Sequence, residues 1–361
     1  MINVPDYIEN LVPYKSGNKL EKAITRQEFK TLINLASNEN PLGPSPKAVE
    51  AIQKHLSEIN IYPDPSAPEL TQKLAEKFGK DANRIITGHG SDSLIQYIFN
   101  TFFKKGDELL TATSTFIGTY VNANKQGMQL QLVPMKSDYS YDLNAILGKI
   151  NLRTKVIYLA NPNNPTATMF TKSDFTKFMA KVPKDVLVIL DEAYWIYAKE
   201  MPGYLDGFEF DEENLIVLRT LSKAYGLAGL RVGFAYAPKY IIDYISRVKL
   251  PFEPNTLAQV AAIAALDDED FINKMLVENQ KSMDILLDAI DSAGIARTEP
   301  SANFVMMIFD NEVKAKSMYN KLLENNIITR QLPMFGLPNA IRISTGTVEQ
   351  TQKAAKIIYS K

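Results

Sequence analysis

The residues with the clearest chemical potential in this chain are Ser222, Lys223 and Arg231, within the run 220–233. They follow the run 215–218, whose four apolar residues predict a short buried strand. A lysine at the end of a strand can form a Schiff base with an aldehyde. The neighbouring hydroxyl and guanidinium groups can hold a phosphate on the same molecule. Together the three side chains indicate covalent chemistry on an aldehyde that also carries a phosphate.

Polar residues also follow other apolar runs that predict strands. Asn164 follows one such run, and Asp191 and Tyr194 follow another. In a parallel sheet that is covered on both faces, ligands bind beyond the carboxyl ends of the strands. We therefore expect these side chains to meet Lys223 at one edge of a single sheet.

The aldehyde phosphate that suits these side chains is pyridoxal 5′-phosphate (PLP). An aspartate such as Asp191 keeps the pyridine nitrogen protonated, so that the ring can accept electrons from a carbanion. The phenol of Tyr194 and the amide of Asn164 can donate hydrogen bonds to the 3-oxygen of the ring. These roles predict Lys223, Asp191 and Tyr194 as the catalytic residues.

A glycine-containing segment supplies a second candidate for phosphate binding. Gly90, Ser91 and Asp92 lie at the predicted start of a helix, where backbone N–H groups bind anions. The segment 88–93 resembles a dinucleotide-binding motif but lacks its third glycine, which disfavours a nicotinamide-dependent dehydrogenase. Phe116 is placed to stack on the open face of the PLP ring.

Composition limits the classes of function. With 40 basic and 41 acidic residues, the net charge of −1 favours neither nucleic acid nor an anionic membrane as a partner. The absence of cysteine excludes disulfides and cysteine–zinc sites, and two histidines are too few for a histidine-cluster metal site. The start of the chain lacks the pattern of a secretory signal, and the longest apolar segment, 257–266, is too short to cross a bilayer. We therefore expect a cytoplasmic protein.

The pattern of apolar runs predicts the fold class. Continuous apolar runs alternate with segments of helical periodicity, and the runs are 84–87, 108–111, 156–160, 186–190 and 215–218. This order predicts a three-layer α/β fold with a mostly parallel central sheet. After Pro251 the pattern changes to long amphipathic helices and short strands, which predicts a smaller α+β unit. We expect an N-terminal arm over 1–40 associated with the small domain, a large PLP-binding domain over 41–250 and a small C-terminal domain over 251–361.

These motifs, taken in order, resemble those of the fold-type I PLP-dependent aminotransferases, and the match runs nearly from end to end. Within that family they are most similar to the histidinol-phosphate aminotransferases. The matching segments are 36–46, 62–64, 90–92, 161–166, 191–194, 222–231 and 341–343. The resemblance implies the PLP-dependent transferase fold and a transaminase that transfers an amino group from a small-molecule donor to a 2-oxo acid.

The resemblance also implies roles for single residues at the cofactor. Lys223 would hold PLP and then shuttle a proton, while Ser222 and Arg231 would hold the PLP phosphate. Tyr62 would reach the phosphate in the site of a neighbouring subunit, which requires a homodimer. Ala167 stands where the family usually has glycine, and alanine is less easily accommodated at a positive φ.

A further set of residues would bind the substrate, according to the same resemblance. Arg342 and Arg330 match two anion-binding arginines, whose guanidinium groups suit phosphate or carboxylate. Tyr14, Asn38 and Asn303 match residues near the substrate. The implied reaction converts L-histidinol phosphate and 2-oxoglutarate into imidazole acetol phosphate and L-glutamate, a step of histidine biosynthesis.

Three alternatives stay open at this point. The same scaffold carries aromatic and broad-specificity aminotransferases, and PLP lyases of the threonine-phosphate decarboxylase type. A non-catalytic PLP-binding regulatory module is the third, although the chain has no basic segment for an attached DNA-binding domain. A comparison of turnover with histidinol phosphate and with phenylalanine would separate the two aminotransferase readings.

Overall fold

A computed structural model of the protein describes residues 2–9, 11 and 32–360. The predicted substrate residue Tyr14 lies outside the described residues. The helices are α1 (Asp6–Glu9), α2 (Pro46–Lys54), α3 (Pro68–Phe78), α4 (Gly90–Phe102), α5 (Ile117–Lys125), α6 (Leu143–Leu147), α7 (Lys172–Met179), α8 (Trp195–Ala198), α9 (Lys239–Val248), α10 (Thr256–Leu266), α11 (Glu269–Ser292), α12 (Glu312–Glu324) and α13 (Val348–Tyr359). The strands are β1 (Ile33–Asn34), β2 (Ile85–His89), β3 (Glu108–Ala112), β4 (Gln129–Val133), β5 (Thr154–Ala160), β6 (Leu187–Asp191), β7 (Leu215–Thr220), β8 (Val232–Tyr236), β9 (Ala296–Arg297), β10 (Phe304–Ile308), β11 (Ile327–Ile328), β12 (Arg330–Leu332) and β13 (Leu337–Ser344).

A seven-stranded sheet in the order β2-β8-β7-β6-β5-β3-β4 forms the centre of the molecule. Strands β3 to β7 run parallel to one another, whereas β8 is antiparallel to both β2 and β7. The parallel strands end at the same edge, so the polar residues that follow β5, β6 and β7 meet there. The predicted mostly parallel α/β sheet is confirmed.

Alternate residues of the central strands face two separate apolar layers. In β5, Val156 and Tyr158 pack into one layer, which includes the buried faces of α4 and α9. Ile157 and Leu159 pack into the other, with α3, α7 and α10. Because side chains alternate along a strand, a run buried on both faces has to be apolar at every position. The three predicted layers are therefore present.

A second, four-stranded antiparallel sheet has the order β12-β13-β10-β9. Helices α11, α12 and α13 supply much of the apolar layer on this sheet. Strand β1 pairs in parallel with β11, which ties the chain before α2 to the C-terminal unit. Helix α10 packs instead in the core of the large sheet. The division into 1–40, 41–250 and 251–361 stays a prediction.

Candidate active site

A cavity of about 550 Å³ opens at the carboxyl edge of the large sheet, beside the small sheet. Its volume is ordinary for a small-molecule site. A smaller lobe of about 180 Å³ continues from it toward the strand ends. The predicted residues that line the cavity or its lobe are Asn38, Ser91, Asp92, Phe116, Asn164, Asp191, Tyr194, Ser222, Lys223, Arg231, Arg330 and Arg342.

Lys223 lies in a tight loop directly after β7. Its Nζ donates a hydrogen bond to the main-chain carbonyl of Ser37 at 3.1 Å. The loop turns at Gly226, whose φ is +71°, and a Cβ there would lie 2.1 Å from the carbonyl oxygen of Gly43. Asn40 Nδ2 also donates to the carbonyl of Ala224 at 2.7 Å. The segment around 37–43 therefore packs directly on this loop and holds the backbone around Lys223 in place.

Asp191 is the last residue of β6, and its carboxylate is buried at the floor of the lobe. Oδ2 accepts a hydrogen bond from the Tyr158 hydroxyl at 2.7 Å, and Oδ1 accepts one from the Ala193 N–H at 3.0 Å. Burial raises the pKa of Asp191 to about 6, although these two hydrogen bonds favour the ionised form. The Asp191 carboxyl therefore changes its charge not far below neutral pH and is shielded from bulk solvent.

Backbone and side-chain donors converge where the predicted phosphate would lie. Arg231, at φ +57°, donates from Nη1 to Ser222 Oγ at 3.2 Å, and its Nη2 lies 3.6 Å from Asp92 Oδ2. A Cβ on Gly90 would lie 2.5 Å from Arg231 Nη2, so only glycine leaves room there. Among the described residues, no side chain caps the N-terminus of α4. Its free N–H groups and the guanidinium suit an anion.

The opposite wall of the cavity is a hydrogen-bonded cluster. Asn38, at φ +57°, donates from Nδ2 to the Tyr194 hydroxyl at 2.8 Å. Asn303 donates from Nδ2 to the main-chain carbonyl of Asn38 at 3.2 Å. Arg342 donates to the Asn164 side-chain oxygen and to a main-chain carbonyl of the segment before Asn38. Asn164 and Tyr194 thus reach the site from the large sheet, while Arg342 reaches it from the small one.

Arg330 and Arg342 lie directly opposite each other on β12 and β13. Opposite residues of an antiparallel pair share one face of the sheet. Both residues line the cavity, and Lys125 from the end of α5 lines it as well. The two opposed guanidinium groups therefore give this part of the cavity wall a positive character that suits an anionic group.

Three described residues that were predicted for the site line neither part of the cavity: Gly90, which lies beside Arg231, Tyr62 and Asn303. Tyr62 is 78% exposed and stacks on Phe252 with ring centroids 4.3 Å apart, outside the cavity of its own chain. Asn303 is buried behind Asn38 and lines neither part of the cavity. Its side-chain hydrogen bond to the Asn38 carbonyl connects it to the cavity wall.

The sequence did not predict two groups of residues that line the site. Tyr158 lies in an apolar strand, and its hydroxyl contacts Asp191. Its position two residues before the end of β5 was the one sequence feature that could have indicated a role in the site. Gln96 and Lys125 line the outer cavity from exposed positions of α4 and α5, and the buried Asn122 lines it from α5. No local pattern in the sequence distinguishes these three residues.

The lobe provides the groups that PLP requires. A lysine amine, a buried carboxylate and a phosphate-sized cradle of N–H and guanidinium donors surround it. The ring of Phe116 packs over Gly118, where a Cβ would lie 2.5 Å from the ring, and this places an aromatic face on the lobe. Within the described ranges, no three metal-ligating side chains form a group that could hold a metal ion. Across the same residues, no helix has both the length and the apolar character to cross a bilayer.

Comparisons with known proteins agree with this geometry. Residues 30–358 match the family model described as aminotransferase class I and II. The chain is 36% identical over 352 residues to the histidinol-phosphate aminotransferase of Anaeromyxobacter sp. (strain Fw109-5), covering 97% of this chain and 96% of the relative. It is 38% identical over 353 residues to the histidinol-phosphate aminotransferase of Brevibacillus brevis, with 97% and 96% covered.

Solved structures show the same fold. The crystal structure of histidinol-phosphate aminotransferase from Sinorhizobium meliloti, in complex with pyridoxal-5′-phosphate, superposes with a TM-score of 0.91 at 27% identity, covering 99% of this chain and 97% of the other. Aspartate aminotransferase from Thermus thermophilus with maleate shares the fold with a TM-score of 0.84 at 21% identity, covering 99% of each chain. The predicted fold-type I architecture is confirmed, and the chain belongs to the class I and II aminotransferase family.

Proposed function

We propose that this protein is a PLP-dependent transaminase that takes L-histidinol phosphate as amino donor and 2-oxoglutarate as acceptor. The observation that carries the substrate choice is the opposed pair Arg330 and Arg342 at the end of the cavity. Like charges placed opposite each other repel across a sheet, and an anion bound between them relieves that repulsion. A phosphate monoester and a dicarboxylate can both supply such an anion.

The same geometry disfavours an aromatic amino acid as the main substrate. The side chain of phenylalanine offers no anion to the two guanidinium groups, whereas a phosphate or a carboxylate does. The cavity combines polar Gln96, Asn122 and Lys125 with apolar Ile117, Val121 and Phe335, so a substrate ring can pack there and the choice between substrates rests on the anion. The phosphate of histidinol phosphate fits this end better, and the name of the relatives agrees with that assignment.

The chain's own residues supply binding and proton transfer. When bound, PLP supplies an electron sink for negative charge at the substrate Cα. Lys223 Nζ, which donates a hydrogen bond to the Ser37 carbonyl, would hold the cofactor, and its amine would take the proton from the substrate Cα. Asp191 would hold a proton at the pyridine nitrogen, while Tyr194 and Asn164 would bind the 3-oxygen of the ring.

The remaining donors fix the two ends of the bound molecules. Ser222, Arg231 and the N–H groups of Gly90 and Ser91 bind the PLP phosphate. Arg342 grips the substrate anion with its guanidinium, which in the structure donates to the Asn164 side-chain oxygen and to a main-chain carbonyl.

A homodimer completes this proposal. Tyr62 points away from its own cavity, and exposed apolar residues surround it in sequence, including Ile59 at 67% and Ile61 at 64%. Exposed apolar patches of this kind are typical of protein interfaces. Tyr62 would then reach the PLP phosphate in the partner's site. Coexpression of Tyr62→Phe with Lys223→Ala should restore activity at limiting PLP, because one site of the mixed dimer is then complete; no restoration would contradict the shared site.

Initial-rate kinetics test the substrate assignment. With 2-oxoglutarate as acceptor, we expect parallel double-reciprocal lines and a kcat/KM for L-histidinol phosphate that exceeds that for L-phenylalanine by about 100-fold or more. A preference for phenylalanine would make the protein an aromatic aminotransferase. Release of carbon dioxide from a phosphorylated amino acid would make it a lyase, and either result would overturn the proposal.

A further inference from the structure

Tyr158 is a buried tyrosine that contacts the predicted ring-binding acid directly. Its side chain is fully buried, and its hydroxyl donates to Asp191 Oδ2 at 2.7 Å. It also lines the lobe that contains Asp191 and Lys223. The roles already assigned to the site do not explain why a strand residue with a phenol lies at this position.

The sheet register explains how the two side chains meet. Ala160 of β5 lies opposite Asp191 of β6, so Tyr158 lies two residues back along the neighbouring strand. Residues in this diagonal relationship share a face of the sheet and are within reach of a long side chain. The carbonyl of Tyr158 also accepts a hydrogen bond from Thr111 Oγ1 at 2.6 Å. The phenol is therefore held from a rigid part of the central sheet.

In the contact between Tyr158 and Asp191, the tyrosine is the hydrogen-bond donor and the aspartate is the acceptor. Burial raises the pKa of Tyr158 well above its ordinary value, so the phenol keeps its proton and acts as a donor. Asp191 has its own pKa raised by burial, and a donated hydrogen bond opposes that effect by favouring the carboxylate. With Oδ2 held by Tyr158 and Oδ1 by the Ala193 N–H, the carboxylate is also fixed in orientation.

We propose that Tyr158 is a positioning residue for Asp191, and that its hydroxyl keeps the carboxylate ionised and aimed at the PLP ring nitrogen. This inference rests on the proposed function, because it assumes that PLP occupies the lobe. It assigns to Tyr158 an indirect role, since the tyrosine acts on the cofactor only through the aspartate.

The test is Tyr158→Phe in the full chain, which removes one oxygen and keeps the buried ring. We expect its affinity for PLP, measured by titrating the apoprotein with PLP, to fall about tenfold. We expect the pH midpoint of the absorbance change of the bound cofactor to shift, and kcat to fall while KM for the amino donor stays within about twofold. Tyr197→Phe is the control, because among the described residues its buried hydroxyl has no hydrogen-bond partner; it should resemble the parent protein.

A double-mutant cycle separates positioning from a general structural effect. If Tyr158 acts through Asp191, Tyr158→Phe should change PLP affinity little further in an Asp191→Asn background. A full tenfold loss in both backgrounds would overturn the proposal, as would a Tyr158→Phe protein with unchanged affinity and pH midpoint. A parent protein that takes up no PLP would overturn the proposed function itself, and this outcome is visible before any variant is made.

Discussion

Arg330 and Arg342 occupy directly opposed positions on two antiparallel strands, and both face the cavity that holds Lys223. Arg342 is nearly buried, and its guanidinium also lies over the ring of Phe304, with Cζ 5.2 Å from the ring centroid. The stacking and the hydrogen bonds to Asn164 and a main-chain carbonyl hold the guanidinium in place. The pair is therefore fixed on the cavity wall, where we propose that it binds an anion.

Replacing Arg342 should weaken both substrates together. For Arg342→Ala we expect KM to rise about 10- to 100-fold for L-histidinol phosphate and for 2-oxoglutarate, because each loses a two-point charged contact of about 1.5–3 kcal/mol. Arg342→Lys should recover only part of the loss, since an ammonium group lacks the planar fork. Steady-state kinetics with both substrates check this expectation, and an unchanged KM for both would remove Arg342 from the site.

Removing the lysine should abolish turnover without unfolding the protein. Lys223 is partly exposed to the cavity, and its described hydrogen bond is to a single carbonyl. For Lys223→Ala we expect activity to fall by a factor of about 10³ or more, because proton transfer at the substrate Cα loses its base. Circular dichroism should match that of the parent protein. Substantial remaining transaminase activity would show that another group does this work.

The phosphate cradle can be probed with two glycines of contrasting surroundings. Gly90 has φ +79° and no room for a Cβ beside Arg231, whereas nothing lies within 4 Å of a Cβ on Gly229. We expect Gly90→Ala to lower PLP affinity by about tenfold or more, by displacing the guanidinium from its anion. Gly229→Ala should bind PLP normally. Equal affinities for the two variants, measured by titration of the apoproteins, would place the phosphate elsewhere.

The buried Asp191 should make the apoprotein less stable as pH rises. Its pKa of about 6 in the folded protein exceeds the value of 3.8 expected in the unfolded chain, so between these values the folded state binds more protons. The free energy of unfolding therefore falls as pH rises from about 4 to 6, by on the order of 2–3 kcal/mol from this group. Asp191→Asn should lose that part of the pH dependence. Urea unfolding of both apoproteins at several pH values measures it, and parallel profiles would contradict the assignment.

A buried ion pair between Arg219 and Glu192, close to the candidate site, should contribute strongly to the stability of the fold. Arg219 is fully buried, donates to Glu192 through Nε and Nη2 at 2.9 and 2.7 Å, and lies over the rings of Trp195 and Phe208. Burial lowers the pKa of Arg219, but the Glu192 and Asp206 carboxylates more than offset that effect and raise it. Arg219→Met should destabilise the fold by about 3–5 kcal/mol, because Glu192 is left buried and unpaired.

A double variant shows whether the ion pair or the packing of Arg219 between aromatic rings carries this stabilisation. Adding Glu192→Leu to Arg219→Met removes the stranded carboxylate, so we expect urea unfolding to recover most of the lost stability. A double variant as unstable as the single one would show that the packing of the guanidinium between aromatic rings, rather than the ion pair, carries the stabilisation.

Much of the site follows from the sequence, because it lies where apolar runs end. The runs before Asn164, Asp191 and Lys223 are buried on both faces, so their apolar character is continuous and their carboxyl ends must share one edge. The helix Pro68–Phe78 begins at a proline and ends before Gly79, and Thr256–Leu266 begins after the capping side chain of Asn255, so both carry signals that are visible in the sequence.

Other features depend on contacts that no local pattern shows. Strand β8 follows the loop that carries Lys223 and Arg231 with only a short 3-10 turn between, and its glycine, Gly233, is required because a Cβ there would lie 2.4 Å from the Ser91 nitrogen. Strand β4 is a partly exposed edge strand with alternating glutamine and leucine. Arg330 and Arg342 become neighbours only through the pairing of β12 with β13, which no local stretch of sequence shows.

Ala167 illustrates how tertiary contacts override a local preference. The alanine adopts φ +62°, the left-handed conformation that usually favours glycine. Its carbonyl accepts a hydrogen bond from the Ser301 N–H at 2.8 Å, and its own N–H donates to the Asn163 carbonyl at 2.8 Å. These bonds hold the turn, so the loop that carries Asn164 keeps its conformation despite the methyl group.

The attachment point of the cofactor is the most direct test of the whole account. The holoenzyme would be reduced with borohydride, digested with a protease and analysed by peptide mass spectrometry. We expect a single modified peptide, with the reduced phosphopyridoxyl group on Nζ of Lys223. Modification of a different lysine, or a protein that carries no cofactor to reduce, would contradict the central claim that Lys223 and Asp191 form one PLP site.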